Sequence, residues 1–343
     1  MFARSLIAAL FVALPAVTAL DTVTCFSTTT ASVIKVAGST TVQPLAIAWA
    51  SGFKAKCTKA SVTVEGGGSG AGAKLVCNST AGIDIGALSR EWKSSESTLS
   101  SSTFQYTCAT SSLTGKQLSV ANDALVVVAH PALTSCLSGG LTVGQLRWIF
   151  SNYTDAKLIS TGFSSSELKG TGSTKVWSRL FSSCPSIGIK LVGPDSAAGT
   201  YSYFLETILT DNKAGEGFTK SAYTPFVVEA NILPKVKSTA GAIGYCGFAV
   251  YERISGASGA IKIKNPTTGA YYLPGSSSIP TGLYKPLSRK LYMMVKTASI
   301  LKVRSYIQYG FSTAGTSALV KSGYYSLTAT EQATMRKRLG LTA

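Results

Sequence analysis

Charged side chains are scarce in this 343-residue sequence, at 14% of the total. Acidic ones are scarcer still, with 15 Asp and Glu against 32 Lys and Arg. Ser, Thr and Gly are abundant, and 45% of the residues are hydrophobic. That mixture argues against a disordered chain and for a rigid, turn-rich protein with well-formed cores. The single histidine, His130, precedes Pro131 in a β-like run. No Ser-His-Asp elbow, HExxH or carboxylate cluster accompanies it, so the usual hydrolase constellations lack their parts. No CxxC occurs among the seven cysteines, which argues against a zinc site, and no metal or cofactor is expected. Beyond the first residues no uncharged run is long enough to span a bilayer. Aromatic residues do not alternate with basic ones as a nucleic-acid platform requires. There is no internal repeat and no low-complexity linker.

Residues 1–19 have the layout of a secretory signal. Arg4 supplies the positive start, Leu6 to Leu14 the apolar run, and Val17-x-Ala19 the small-residue cleavage site. Cleavage after Ala19 leaves a secreted chain beginning near Leu20 or Asp21. In an oxidising compartment several of Cys25, Cys57, Cys77, Cys108, Cys136, Cys184 and Cys246 should be bridged. Their odd number leaves one thiol over, and Cys25, near the N-terminus, is the candidate. Two glycosylation sequons, at Asn78 and Asn152, fit the same compartment. The formal net charge of +17 attracts anions and raises their encounter rate. The cations are dispersed, however, and the densest cluster, Arg336-Lys337-Arg338, is short.

Strands and helices alternate along the chain. Val33, Ile34 and Val36 make a short β run. Gly38-Ser39-Thr40-Thr41 follows, and Pro44 opens a helix with Leu45, Trp49 and Phe53 on one face. Val62 and Val64 lead into the Gly-rich run Gly66–Gly72 and a short helix. Gly82 to Arg90 reads as a buried strand with a polar end, and Ser94 to Gly115 as surface. Ala124 to Ala129 is a strong buried strand, and Leu141 to Phe150 a capped helix. Ile187 to Val192 feeds the stretch Gly193 to Leu209, a loop that turns into a helix. Gly241 to Tyr245 and Leu291 to Val295 are further buried strands, and the tail from Ser299 to Leu339 is helical. This order predicts an α/β fold with a mostly parallel sheet, whose ligands sit beyond the carboxyl ends of the strands.

Three strand-to-helix loops carry small donors: Ser39 with Thr40 and Thr41, Ser69 with Gly70, and Gly199 with Thr200. The first N–H groups of a helix have no intrahelical acceptor, and the helix dipole makes that end partly positive. Glycine lets an oxyanion approach the backbone, so each loop is a socket for a small anion. A fourth element, Asp84 with Ser89 and Arg90, ends a strand. A carboxylate beside the donors favours phosphate, which keeps a proton to donate, over sulfate, which has none. Arg90 adds charge-assisted contacts. Each residue also has an ordinary structural reading as a cap, a turn or a solvated cation.

The segments GSTTVQPLA, GGGSGAG, IDIGALSR, VANDALVVVAHP, LTVGQLRWIF, GPDSAAGTYSYF, GAIGYCGFAVY and YKPLSRKLYMMV occur in the order found in the phosphate-binding proteins of bacterial ABC importers. The chain resembles that family from about Val33 to Leu339. The resemblance implies a periplasmic-binding-protein-like (type II) clamshell of two domains with the ligand cleft between them. Residues 30–123 and 285–343 would form one domain and 124–284 the other. Thr40, Ser69, Asp84, Gly199 and Thr200 would line the cleft, with Ser39, Thr41, Gly70 and Arg90 close by. It also implies a Cys108–Cys136 bridge. Ala198 and Pro194 stand where relatives often carry Ser and Arg.

The leading expectation is therefore a secreted monomeric protein that binds inorganic phosphate by hinge closure, without covalent chemistry, for uptake or scavenging. A transporter or a cell-surface protein would be its partner. Two alternatives are a phosphatase or other hydrolase on the same scaffold, and a ligand-less surface protein that binds acidic polymers.

Overall fold

The computed structural model describes residues 23–25, 32–168, 174–209, 223–254 and 258–341. The expected signal segment, residues 1–19, lies outside the described residues.

The first half begins with β1 (Ser32–Gly38), α1 (Gln43–Lys56), β2 (Ala60–Glu65), α2 (Ser69–Val76) and β3 (Ile85–Leu88). A hairpin, β4 (Ser97–Ser100) and β5 (Gln105–Cys108), leads to the long strand β6 (Thr114–Ala129). Then come α3 (Val143–Phe150), α4 (Asp155–Ser160), β7 (Lys190–Pro194), α5 (Gly199–Ile208) and β8 (Tyr223–Phe226). They are followed by α6 (Ile232–Ser238), β9 (Ala242–Gly247), α7 (Phe248–Arg253) and the small pair β10 (Ile263–Lys264) and β11 (Tyr271–Tyr272). The chain returns through β12 (Ser288–Lys296) and ends in α8 (Ile300–Gly310), α9 (Thr313–Lys321) and α10 (Ala329–Arg338).

The sheet order is β2-β1-β3-β12-β6-β9-β7-β8. β1 lies parallel to β2 and β3, and β7 lies parallel to β8 and β9. Between these triplets, β12 and β6 run antiparallel to each other. β6 joins the two units: Gly115–Ala124 pairs with β12, and Leu125–Ala129 pairs with β9. It runs in the direction of β1 and β3 and against β9 and β7. The carboxyl ends of the two triplets therefore point toward each other across the middle of β6. This is where an open α/β sheet holds its ligand.

Local chemistry explains most elements. The apolar run Leu125–Val128 is buried on both sides, as a central strand requires. In α1, Pro44 stands in the first turn, and Leu45, Trp49 and Phe53 recur every four residues on the buried face. Thr142 and Gln145 form a capping box at the start of α3. Gly38 has φ 137°, and a side chain there would run into the α2 backbone, with Gly72 Cα at 2.9 Å. That contact sets how closely α2 approaches β1. The segment Ser94–Gly115 is largely exposed, as expected of surface, and holds the β4–β5 hairpin, whose Ser and Thr residues pair through backbone groups.

One large core cluster draws its residues from Ala124 to Leu287. The other two draw theirs from residues 23–121 and 291–341. The disulfides are Cys25–Cys57, Cys77–Cys108 and Cys136–Cys184. The expected Cys108–Cys136 bridge is not formed, and Cys25 is not the spare thiol. Cys108, at the end of β5, meets Cys77 at the end of α2 with Cα atoms 5.6 Å apart. Cys136 packs against the other core cluster. The free thiol is Cys246, buried in β9, where burial pushes it far above its ordinary range. Asn78 and Asn152 are both exposed. Among the described residues no helix is long and apolar enough to cross a membrane.

Candidate functional site

A cavity of about 300 Å³ lies where the carboxyl ends of the two parallel triplets face each other. Ser39, Thr40 and Thr41 enter it from the turn after β1, and Gly68, Ser69 and Gly70 from the start of α2. Ser89, Arg90 and Lys93 enter it from the turn after β3. The opposite wall is α5, whose Gly199, Ser202, Tyr203 and Glu206 share one helical face. Arg289, near the start of β12, completes the lining.

The first turn is tied down by Ser39, whose Oγ accepts the amides of Thr41 (3.2 Å) and Val42 (3.4 Å). Ser69 Oγ accepts the Ser89 amide at 2.9 Å and shares a hydrogen with Ser89 Oγ at 3.0 Å. The start of α2 is thus joined to the end of β3. Gly199 lies against the first turn, and a Cβ there would be 2.5 Å from Thr41 Oγ1 and 2.9 Å from Thr40 Oγ1. Only glycine lets the start of α5 come that close. The leading amides of α2 and α5 have no intrahelical acceptor, so two partly positive helix ends meet at the cavity.

The cations differ in how they are held. Arg90 grips Glu96 with both terminal nitrogens, at 2.7 and 2.9 Å. Burial pushes the Glu96 carboxyl up, but the Arg90 fork and the Lys93 amide outweigh it and hold the group below its ordinary value. Arg289 pairs with the buried Asp123 at 3.2 Å and donates to Thr41 Oγ1 at 3.1 Å. Its guanidinium sits 3.5 Å from the centre of the Tyr203 ring. Tyr203 in turn donates to Pro286 O at 2.9 Å. Lys93 lines the same cavity, and its ammonium forms no ion pair with the described residues. The cavity thus carries three cations and one carboxylate, with hydroxyls and helix-end amides between them.

Of the expected site residues, Ser39, Thr40, Thr41, Ser69, Gly70, Arg90 and Gly199 come together here. Two do not. Thr200 lines a neighbouring cavity of about 450 Å³ on the other side of the Thr40–Thr41 turn, with Asp123 and Glu229. Asp84 lies at the opposite edge of the sheet. It precedes β3, and its carboxylate accepts the Lys35 amide (2.9 Å), Ser299 Oγ (2.8 Å) and Lys302 Nζ (2.7 Å). Five residue steps at about 3.3 Å each, across the four residues of β3, separate it from Ser89 by roughly 16 Å. Asp84 is a buried structural acceptor, and the carboxylate argument for phosphate over sulfate does not apply to it.

Sequence reasoning overlooked Lys93, Ser202, Tyr203, Glu206 and Arg289 as site residues. Two signals were present. Ser202, Tyr203 and Glu206 follow Gly199 by three, four and seven residues, one helical face. Arg289 is one of two adjacent cations that open a strand whose next five residues, Leu291–Val295, are apolar and buried. His130 is structural: its Nδ1 accepts the Ala132 amide at 3.2 Å.

Two parallel α/β units, joined by β6 and β12 and facing a donor-rich cavity, define a type II periplasmic-binding-protein-like fold. Residues 26–314 match the PBP superfamily domain, and the chain belongs to that superfamily. It is 30% identical over 280 residues to Protein SphX of Synechococcus elongatus, covering 81% of this chain and 73% of that one. It is 26% identical over 312 residues to Phosphate-binding protein PstS of Pseudomonas aeruginosa, covering 89% and 86%. A solved structure, a possible phosphate binding protein from Planctomyces limnophilus, superposes with a TM-score of 0.71 at 26% identity. That superposition covers 91% of this chain and 98% of the other.

Proposed function

We propose that this protein binds inorganic phosphate in the cavity between the two parallel triplets and does no covalent chemistry on it. The observation that carries this reading is the convergence of three turns, after β1, at the start of α2 and at the start of α5, on one cavity with Arg90, Lys93 and Arg289. Such a set replaces the hydration shell of a tetraoxyanion with fixed donors. Relatives named for phosphate binding support the choice of anion. Among the described residues Ser69 is held by Ser89 and by no general base, which fits binding better than hydrolysis.

In this reading residues 30–123 and 285–343 form one lobe and 124–284 the other. Phosphate draws the start of α5 onto the Ser39–Thr41 turn by hinge rotation at the two crossings near residues 123–124 and 284–286. The protein is secreted after cleavage behind Ala19, in keeping with its three disulfides. It acts as a monomer that delivers phosphate to a transporter or a cell-surface partner.

Calorimetric titration with phosphate and with sulfate tests the reading. Saturable phosphate binding, weakened in Ser69→Ala and in Lys93→Ala, is the expected result. No heat and no competition at millimolar phosphate would sink it.

A further inference from the structure

We infer that the cleft also takes small phosphate monoesters of polyhydroxy compounds, with the phosphate in the donor-rich notch and the hydroxylated part in the chamber beside it. This rests on the anion-binding reading above. The 300 Å³ notch adjoins a chamber of about 670 Å³, and Ser89, Arg90, Tyr203, Glu206 and Arg289 line both. Sites that hold whole small molecules occupy about 300–1,000 Å³, so the chamber beside the notch has room for more than a bare phosphate.

The chamber has features that a free anion leaves unused. Gly199 and Glu206 stand on the same face of α5, about 10 Å apart at 1.5 Å rise per residue. One phosphate cannot reach both ends of that wall, whereas a monoester can. The Glu206 carboxylate makes no hydrogen bond or ion pair with the described residues. An unpaired carboxylate accepts hydrogen bonds, so a ligand hydroxyl in the chamber would donate to Glu206.

Charge decides which organic group fits. Arg90, Arg289 and Lys290 are tied to Glu96, Asp123 and Glu331. What remains in the chamber is Lys285 against Glu91 and Glu206. That balance favours a neutral, hydroxyl-bearing group over a second anion.

The test is calorimetric titration of the mature chain with inorganic phosphate, with glycerol 3-phosphate and with glycerol alone. Glycerol 3-phosphate should compete with phosphate and bind within about tenfold of its affinity or more tightly, while glycerol gives no heat. Thr281 and Thr207 line the chamber and not the notch. Thr281→Trp, and independently Thr207→Trp, should weaken the ester about tenfold and leave phosphate unchanged. An ester more than about a hundredfold weaker than phosphate would overturn the inference and leave the phosphate reading standing. So would an ester affinity that neither folded tryptophan variant alters. If phosphate itself does not bind, both fall.

Discussion

Replacing Arg289 by alanine should damage both stability and ligand binding, and the two effects can be separated. In the native chain the guanidinium pairs with Asp123, donates to Thr41 and lies on the Tyr203 ring. Both partners of the ion pair have side chains 11% exposed. Removing one member of a buried pair strands the other charge, which costs about 3–5 kcal/mol. The cavity also loses a cation. A charge-assisted hydrogen bond contributes about 1.5–3 kcal/mol, so phosphate affinity should fall about tenfold to a hundredfold. The stability loss has a pH signature. Burial pushes the Asp123 carboxyl above its ordinary value, and Arg289 pulls against it. When the folded state holds a proton that the unfolded chain has already lost, stability falls as pH rises through that interval. Deleting Arg289 widens the interval upward. The deficit of the variant should therefore be largest near neutrality and shrink as pH drops toward about 4, the unfolded value of Asp. Urea unfolding of Arg289→Ala and the parent at pH 5 and 7.5, without phosphate, measures it. Adding Asp123→Asn should recover part of the loss. A deficit below about 1 kcal/mol, or one that does not move with pH, would refute the stranded-charge argument.

Three further outcomes follow from the geometry. Asp84→Asn should cost about 1–3 kcal/mol, since the carboxylate serves Lys35, Ser299 and Lys302, yet leave phosphate affinity unchanged. A variant of full stability that no longer binds would return Asp84 to the site. Gly199→Ala should hold α5 off the Thr40–Thr41 turn and weaken phosphate about tenfold or more, as an overpacked contact costs about 1–3 kcal/mol; unchanged affinity in a titration would show that the close contact is not used. Lys175, whose ammonium donates to the Trp148 and Ser151 carbonyls, is pushed down by burial to about 8 from 10.5. Its folded-state value lies below the unfolded one, so between those pH values the unfolded chain binds more protons and stability rises with pH. Thermal melts should show that Lys175→Met lacks this gain relative to the parent, and identical pH profiles would contradict it.

The sequence by itself determined the α/β class, the buried strand at 124–129, the α1 and α3 helices and three of the anion turns. Each of these is written within a few neighbouring residues: an apolar run, a capping pair, or a Gly and Ser cluster ahead of a helix. Only the tertiary structure decided which end of β3 meets the ligand, which cysteines pair, and which cations reach the notch. Asp84 and Ser89 look equally available in the linear order, yet Lys35 and Lys302 claim one edge of the sheet and Ser69 the other. Cys108 finds Cys77 because β5 returns beside the end of α2, and Arg289 reaches Thr41 across 248 residues. Those partners are chosen by strand pairing between distant segments, which no local spacing encodes.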